Sequence, residues 1–223
     1  MKQLALDIAP PAYPCFDNFI AGRNGESLQA LRDFAAGKLS ERLVYLWGKP
    51  GSGRTHLLRA TVAALRNARY LHCADQPDLT PEGASLLALD DVERLGETSQ
   101  IELFNLYNAE PQTLLLVAGS SPPAQLALRE DVKTRLCAGL TYQVHALSDA
   151  EKIAALARCA DERGLKLSRE VGDYLLRHTQ RDMRSLLALF HAADVRALAE
   201  KRDITVPLIK AVLHSALPLE TRD

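Results

Sequence analysis

One short stretch constrains this chain more than any other. Gly48-Lys49-Pro50-Gly51-Ser52-Gly53-Arg54-Thr55 stands between the apolar run Leu43–Trp47 and a helical pattern. The glycines let consecutive backbone N–H groups point inward and form an anion nest. A helix beginning near Arg54 adds its positive N-terminal end at the same spot. The Thr55 hydroxyl is the group that such a loop places on Mg2+. A strand before and a helix after are the context that a phosphate-binding loop requires. One position departs from the pattern, because arginine stands where lysine is usual. Arg54 keeps the charge, but its guanidinium is a planar fork rather than a compact ammonium. It suits β-phosphate oxygens better than a reacting γ-phosphate. The loop therefore predicts a bound nucleotide, ADP or ATP, contacted by Gly48, Pro50, Gly51, Ser52, Gly53, Arg54 and Thr55. His56 follows them, and for it packing competes with a place beside the phosphates.

The rest of the first two thirds of the chain has the pattern that surrounds such a loop in α/β proteins. Leu43–Trp47 shows no alternation and reads as a strand buried on both faces. Further strands are predicted at 69–73, 86–89, 113–118 and 141–145. Helices are expected at 27–37, from the loop to about 68, at 100–109 and at 132–137. Strands alternating with helices predict a parallel sheet covered on both faces. The character changes at Ser148, where Ser148-Asp149-Ala150-Glu151 has the form of a capping box. From there only helices are expected, at 149–163, 168–179, 181–200 and 206–216. The expected organisation is a flexible tail over 1–12, an α/β domain over 13–146 and a helical domain over 147–223.

The third predicted strand ends in Asp90-Asp91. An acidic residue at that place accompanies Mg2+ in these folds, which gives Asp90 together with Thr55 as metal-associated residues. Asp91 stands where a water-orienting carboxylate is found in many ATPases.

Bulk properties remove several alternatives. Lysine and arginine total 27 against 28 acidic residues, so there is no global basic field to draw the chain onto DNA. Cys15, Cys73, Cys137 and Cys159 form no CxxC pair, and buried free thiols are expected. No apolar run approaches the length of a membrane span, and the N-terminus lacks a secretory signal, so no membrane contact and a cytoplasmic location are expected.

With these residues in place, the chain resembles DnaA-type AAA+ proteins, and within them the DnaA regulatory inactivator (Hda) family, over nearly its whole length. Phe16-Asp17-Asn18-Phe19-Ile20, then Gly22 and Asn24, is similar to the segment opening the DnaA nucleotide domain. Leu46-Trp47, Arg54 inside the loop and Leu103-Phe104-Asn105-Leu106-Tyr107-Asn108 are similar to the inactivator family. The resemblance implies roles for further residues. Ser120 falls at the sensor 1 position. Val132-Lys133-Thr134-Arg135-Leu136 resembles the arginine-finger segment, so Arg135 would act in trans on a neighbour's γ-phosphate. Arg181-Asp182-Met183-Arg184 resembles the sensor 2 segment, with Arg184 reaching bound phosphates. Gln3-Leu4-Ala5-Leu6-Asp7-Ile8 resembles the peptide that docks on the DNA polymerase sliding clamp, the β subunit, with Gln3, Leu4, Leu6 and Ile8 as anchors.

The implied function is stimulation of hydrolysis of DnaA-bound ATP while docked on the DNA-loaded clamp, which turns replication initiation down. DNA would be met only through the clamp. No counterpart of the DNA-reading domain of DnaA is expected in this sequence, which favours acting on an initiator over being one. A self-sufficient DnaA-like ATPase, such as a remodeller or helicase-loading factor, stays open. So does a nucleotide-gated adaptor between the clamp and another AAA+ protein. Self-association into a homodimer stays open too.

Overall fold

The computed structural model describes residues 13–179, 182–200 and 202–216. The described residues form two compact units that divide between Ala146 and Leu147.

The first unit is built on five parallel strands: β1 Leu43–Trp47, β2 Ala68–His72, β3 Leu86–Asp90, β4 Leu114–Gly119 and β5 Leu140–Gln143. Their order across the sheet is β2-β3-β4-β1-β5. Every residue of β3 is buried, as a central strand covered on both faces demands. Alternation along the strands sorts the core into two layers. Val44, Leu46, Leu86, Ala88, Leu116 and Ala118 face helices α1 Gly25–Ala35 and α2 Arg54–Ala64, meeting Leu31, Phe34, Leu57 and Leu58. Leu43, Tyr45, Leu87, Leu89, Leu115 and Val117 face α3 Glu97–Ala109 and α4 Glu130–Ala138, meeting Leu103, Leu106, Val132 and Leu136. The register sets Trp47 beside Gly119 and His72 beside Asp90, so the carboxyl ends of the strands line up. In an open α/β sheet that edge is where ligands bind.

The second unit holds α5 Asp149–Asp161, α6 Arg169–His178, α7 Met183–Glu200 and α8 Val206–Ala216. The capping box at its start is complete, with the Ser148 side chain accepting from the Glu151 N–H and the Glu151 carboxylate accepting from the Ser148 N–H. Leu156, Leu175, Leu186, Phe190, Leu208 and Ile209 make its core. The 4%-exposed Asp194 pairs with the exposed Arg163, whose Nη1 lies 2.7 Å from its Oδ2.

The α/β class is as the sequence predicts, with differences at element ends. α2 stops at Ala64 rather than near 68, because Leu65 turns extended and Asn67 takes a positive φ on entering β2. β5 ends at Gln143 rather than at 145. The backbone of His145 is taken instead by the Asn24 side chain, which donates to its carbonyl at 2.9 Å and accepts from its N–H at 2.7 Å. The expectation of four buried thiols is corrected: all are free, but only Cys73 is buried, while Cys15 and Cys137 are exposed. Among the described residues no helix is long and apolar enough to cross a membrane.

The two-layer core makes a contrast that denaturation can read. Leu116→Ala, in the centre of β4, is expected to cost about 2–5 kcal/mol in urea unfolding. Leu198→Ala, at 64% exposure on α7, is expected to stay within about 0.5 kcal/mol.

Candidate phosphate-binding site

The loop between β1 and α2 closes because two glycines permit it. A Cβ at Gly48 would overlap the Val144 carbonyl oxygen, so only glycine lets β1 leave the sheet there. Gly53, the residue before α2, has φ +104°, and a Cβ on it would lie 2.8 Å from the Phe19 ring. This geometry leads straight into the N-terminus of α2, whose first N–H groups have no partner inside the helix.

Three elements meet at the buried Asp90. Its Oδ2 accepts from the Thr55 hydroxyl at 2.6 Å and from the Tyr70 hydroxyl at 2.8 Å. α2, β2 and β3 are thus tied at one carboxylate oxygen. Burial pushes the Tyr70 phenol up to about 12, and its bond to Asp90 adds to the shift. The Cys73 thiol is also raised to about 12, by burial first and then by the charges of Asp90, Asp91 and Glu93. The strand ends therefore carry a concentrated negative field that suits a cation.

Arg54, only 9% exposed, donates through Nη2 to Asp91 Oδ1 at 3.2 Å. Asp91 stands in the left-handed region at φ +54°, with His72 Nε2 at 3.7 Å and Arg94 Nε at 3.9 Å from its Oδ2. The Arg54 and Asp91 side chains are 10% and 25% exposed, so the pair is mostly desolvated. Breaking a fully buried pair costs about 3–5 kcal/mol, and the partial exposure of Asp91 reduces that figure here.

Among the described residues, four buried side-chain polar atoms have no hydrogen-bond partner: Ser52 Oγ, Arg54 Nη1, Asp90 Oδ1 and Glu93 Oε2. All four lie on the loop or within three residues of the end of β3. Native interiors leave few such atoms, and each one calls for a partner. Three of them are what a phosphate and its cation require: a hydroxyl, a guanidinium nitrogen and a carboxylate oxygen. Thr55 and Asp90 have the hard oxygen chemistry that Mg2+ takes.

The structure brings most of the sequence-predicted residues to this edge. Gly48, Pro50, Gly51, Ser52 and Gly53 form the loop, and Arg54, Thr55, Asp90 and Asp91 are joined by the bonds above. Ser120 follows β4, and its N–H donates to Glu93 Oε1 at 3.0 Å. His56 turns to the N-terminal segment, with Nε2 3.1 Å from the Cys15 carbonyl oxygen and its ring 5.3 Å from Phe19. Arg135 belongs to the other layer, on α4, its guanidinium 5.5 Å from the Phe104 centroid and 5.4 Å from that of Tyr107. No carboxylate among the described residues pairs with it. The side chain of Arg184 and the residues Gln3, Leu4, Leu6 and Ile8 lie outside the described residues. Sequence inspection did not single out Tyr70, His72, Glu93 or Arg94. Their roles depend on β2 lying beside β3 and on the 3₁₀ turn Val92–Arg94, and neither is written in a local motif.

A five-stranded parallel sheet of this order, a phosphate loop feeding α2 and a helical unit after the sheet define a protein of the AAA+ class. Domain III of the Thermotoga maritima replication initiation protein DnaA superposes with a TM-score of 0.71, covering 94% of this chain and 100% of that one at 17% identity. AMPPCP-bound DnaA from Aquifex aeolicus gives 0.68, covering 88% of this chain and 69% of that one at 23% identity. At those identities the likeness speaks for the fold. An uncharacterised protein of Haemophilus influenzae is 32% identical over 96% of this chain and 99% of its own. The family model described as "Hda, lid domain" matches residues 149–213. The chain belongs to the Hda family of DnaA-related AAA+ proteins.

Burial holds the His56 imidazole below its usual 6.5, with the Cys15 carbonyl partly opposing. A histidine whose folded pKa is depressed contributes stability that is full above 6.5 and is lost as pH falls through the folded value. His56→Gln is therefore expected to flatten the fall in unfolding free energy between pH 7.5 and 5.5, measured by urea titration at both pH values.

Proposed function

We propose that this chain binds a nucleoside di- or triphosphate with Mg2+, and in that state stimulates hydrolysis of ATP held by DnaA while docked on the DNA-loaded sliding clamp. Membership of the Hda family supports a DnaA-related replication regulator as the coarse function. The observation that carries the finer reading is where the two arginines lie. Arg54 sits in the chain's own phosphate loop on the α2 side of the sheet. Arg135 sits on the opposite layer among α3 aromatics, in no ion pair among the described residues, available to a neighbouring subunit.

In this scheme the chain's own site binds and the partner's site reacts. The loop N–H groups and Arg54 hold the phosphates, and Ser52 supplies a hydroxyl. Thr55 and Asp90 hold Mg2+, which neutralises phosphate charge when bound. Ser120, fixed by Glu93, adds to the polar surround, and the family resemblance gives Arg184 the role of a second sensor. Arg135 enters DnaA's active site and stabilises the charge that develops on the γ-phosphate as it is transferred, a contribution of about 10³–10⁵ in rate. Gln3, Leu4, Leu6 and Ile8 anchor the chain to the clamp and so restrict the reaction to DNA that has been replicated. ADP is the nucleotide that the family resemblance favours for the working state. A homodimer that covered Arg135 would be inactive.

The test uses full-length protein, DnaA loaded with ATP, and clamp on nicked DNA. Clamp-dependent hydrolysis is expected, and Arg135→Ala should lower the stimulated rate by about a thousandfold while clamp binding is kept. Changing Gln3 and Leu4 to alanine should remove clamp dependence. No stimulation by a protein that still binds nucleotide would overturn this function and leave an adaptor or an independent ATPase.

A further inference from the structure

We propose that Asp91 is a positioning residue for the nucleotide, acting through Arg54, and is not a water-orienting group; the proposal rests on the nucleotide-binding reading of the loop. The observations concern the guanidinium. Arg54 Nη2 is held by Asp91 Oδ1 at 3.2 Å, while Nη1 is buried and has no acceptor. The five donors of a guanidinium lie in one rigid plane, so holding one nitrogen fixes the direction of the other. An ammonium needs no such holder, because its three donors rotate about a single point. A phosphate loop that carries arginine therefore needs a group to set the plane, and a loop that carries lysine does not.

Asp91 is built for that task. Its second oxygen, Oδ2, faces His72 Nε2 at 3.7 Å and Arg94 Nε at 3.9 Å, so the carboxylate is approached from both sides. Its backbone occupies the left-handed region at φ +54°, where a residue other than glycine is uncommon. Among the described residues the hydrogen bond of the Asp91 carboxylate is made to the Arg54 guanidinium, which ties this acid to the loop. The arginine in the loop and the short second acid after β3 then form one device. Asp91 aims the free Nη1 of Arg54 at a β-phosphate oxygen, a group that nucleoside di- and triphosphates share. His72 and Arg94 lie beside the other oxygen of Asp91, at 3.7 and 3.9 Å.

The device predicts coupling between two positions. Titration calorimetry with Mg·ADP would be run on the full-length chain, on Asp91→Asn, on Arg54→Lys and on the double variant. Asp91→Asn is expected to weaken Mg·ADP binding by about tenfold when Arg54 is present, and by no more than about twofold when lysine replaces it. Asp91→Glu should recover part of the loss in the Arg54 background only. It also carries the comparison if Asp91→Asn fails to fold, which thermal melting without nucleotide reports. Equal losses in both backgrounds would overturn the proposal. So would unchanged affinity accompanied by loss of a measurable single-turnover ATP hydrolysis, because that result assigns Asp91 to the water. If the unaltered chain binds no Mg·ADP, the nucleotide-binding reading itself falls, a result distinct from binding without coupling.

Discussion

Two hydroxyls share one oxygen of Asp90, and the order of the site depends on that arrangement. A carboxylate at 1% exposure is costly unless donors surround it. Thr55 supplies one donor from the first turn of α2, and Tyr70 supplies the other from β2. The same two bonds therefore offset part of the desolvation of the acid, at Oδ2, and fix α2 against the sheet edge. β3 can serve as the anchor because it is buried along its whole length and paired in register with β2 and β4. The phosphate loop is then a bridge between two fixed points, the end of β1 and the start of α2. Its remaining freedom is removed by the approach of Val144 to Gly48 and of Phe19 to Gly53.

Electrostatics at this edge are unbalanced by design of the chain. Asp90, Asp91 and Glu93 converge there, and Arg54 is the buried cation among them. Burial raises the Cys73 thiol and the Tyr45 phenol; the charges of Asp90, Asp91 and Glu93 add to the first shift and that of Glu93 adds to the second. Under the proposed function a divalent cation accompanying the phosphate would offset this excess of negative charge. It is well made for holding a ligand. Arg135, the arginine proposed to act on a partner, is found in the other layer of the same unit. Under the proposed function, binding and stimulation would fall on different surfaces of one small domain.

Much of this was legible in the sequence, for physical reasons. β1 and β3 are short unbroken apolar runs, which a strand covered on both faces requires. The loop pattern and the Asp90-Asp91 pair mark residues that the fold joins at one sheet edge, Thr55 to Asp90 and Arg54 to Asp91, and phosphate chemistry is the reason such residue types are expected at that spacing. The Ser148 box marks the start of α5 because its hydrogen bonds are local. What stayed hidden depends on long-range placement. Tyr70 and His72 reach the site only because β2 is the strand beside β3, and strand order is not a local property. Glu93 reads as an ordinary polar residue until the 3₁₀ turn places it under the Ser120 N–H. The early end of β5 follows from Asn24, more than a hundred residues away, taking its backbone groups. The thiols were misjudged because cysteine burial follows packing, and Cys15 and Cys137 fall outside both core layers.

The central claim is that the chain's own site holds nucleotide while its partner's site turns over. Differential labelling tests it most directly. DnaA would be loaded with ATP carrying label on the α-phosphate, this chain with unlabelled ADP, and the two mixed with clamp on DNA. The account predicts that the label becomes ADP and stays with DnaA. Label that remains ATP, in a mixture where this chain hydrolyses its own nucleotide when given ATP, would contradict it.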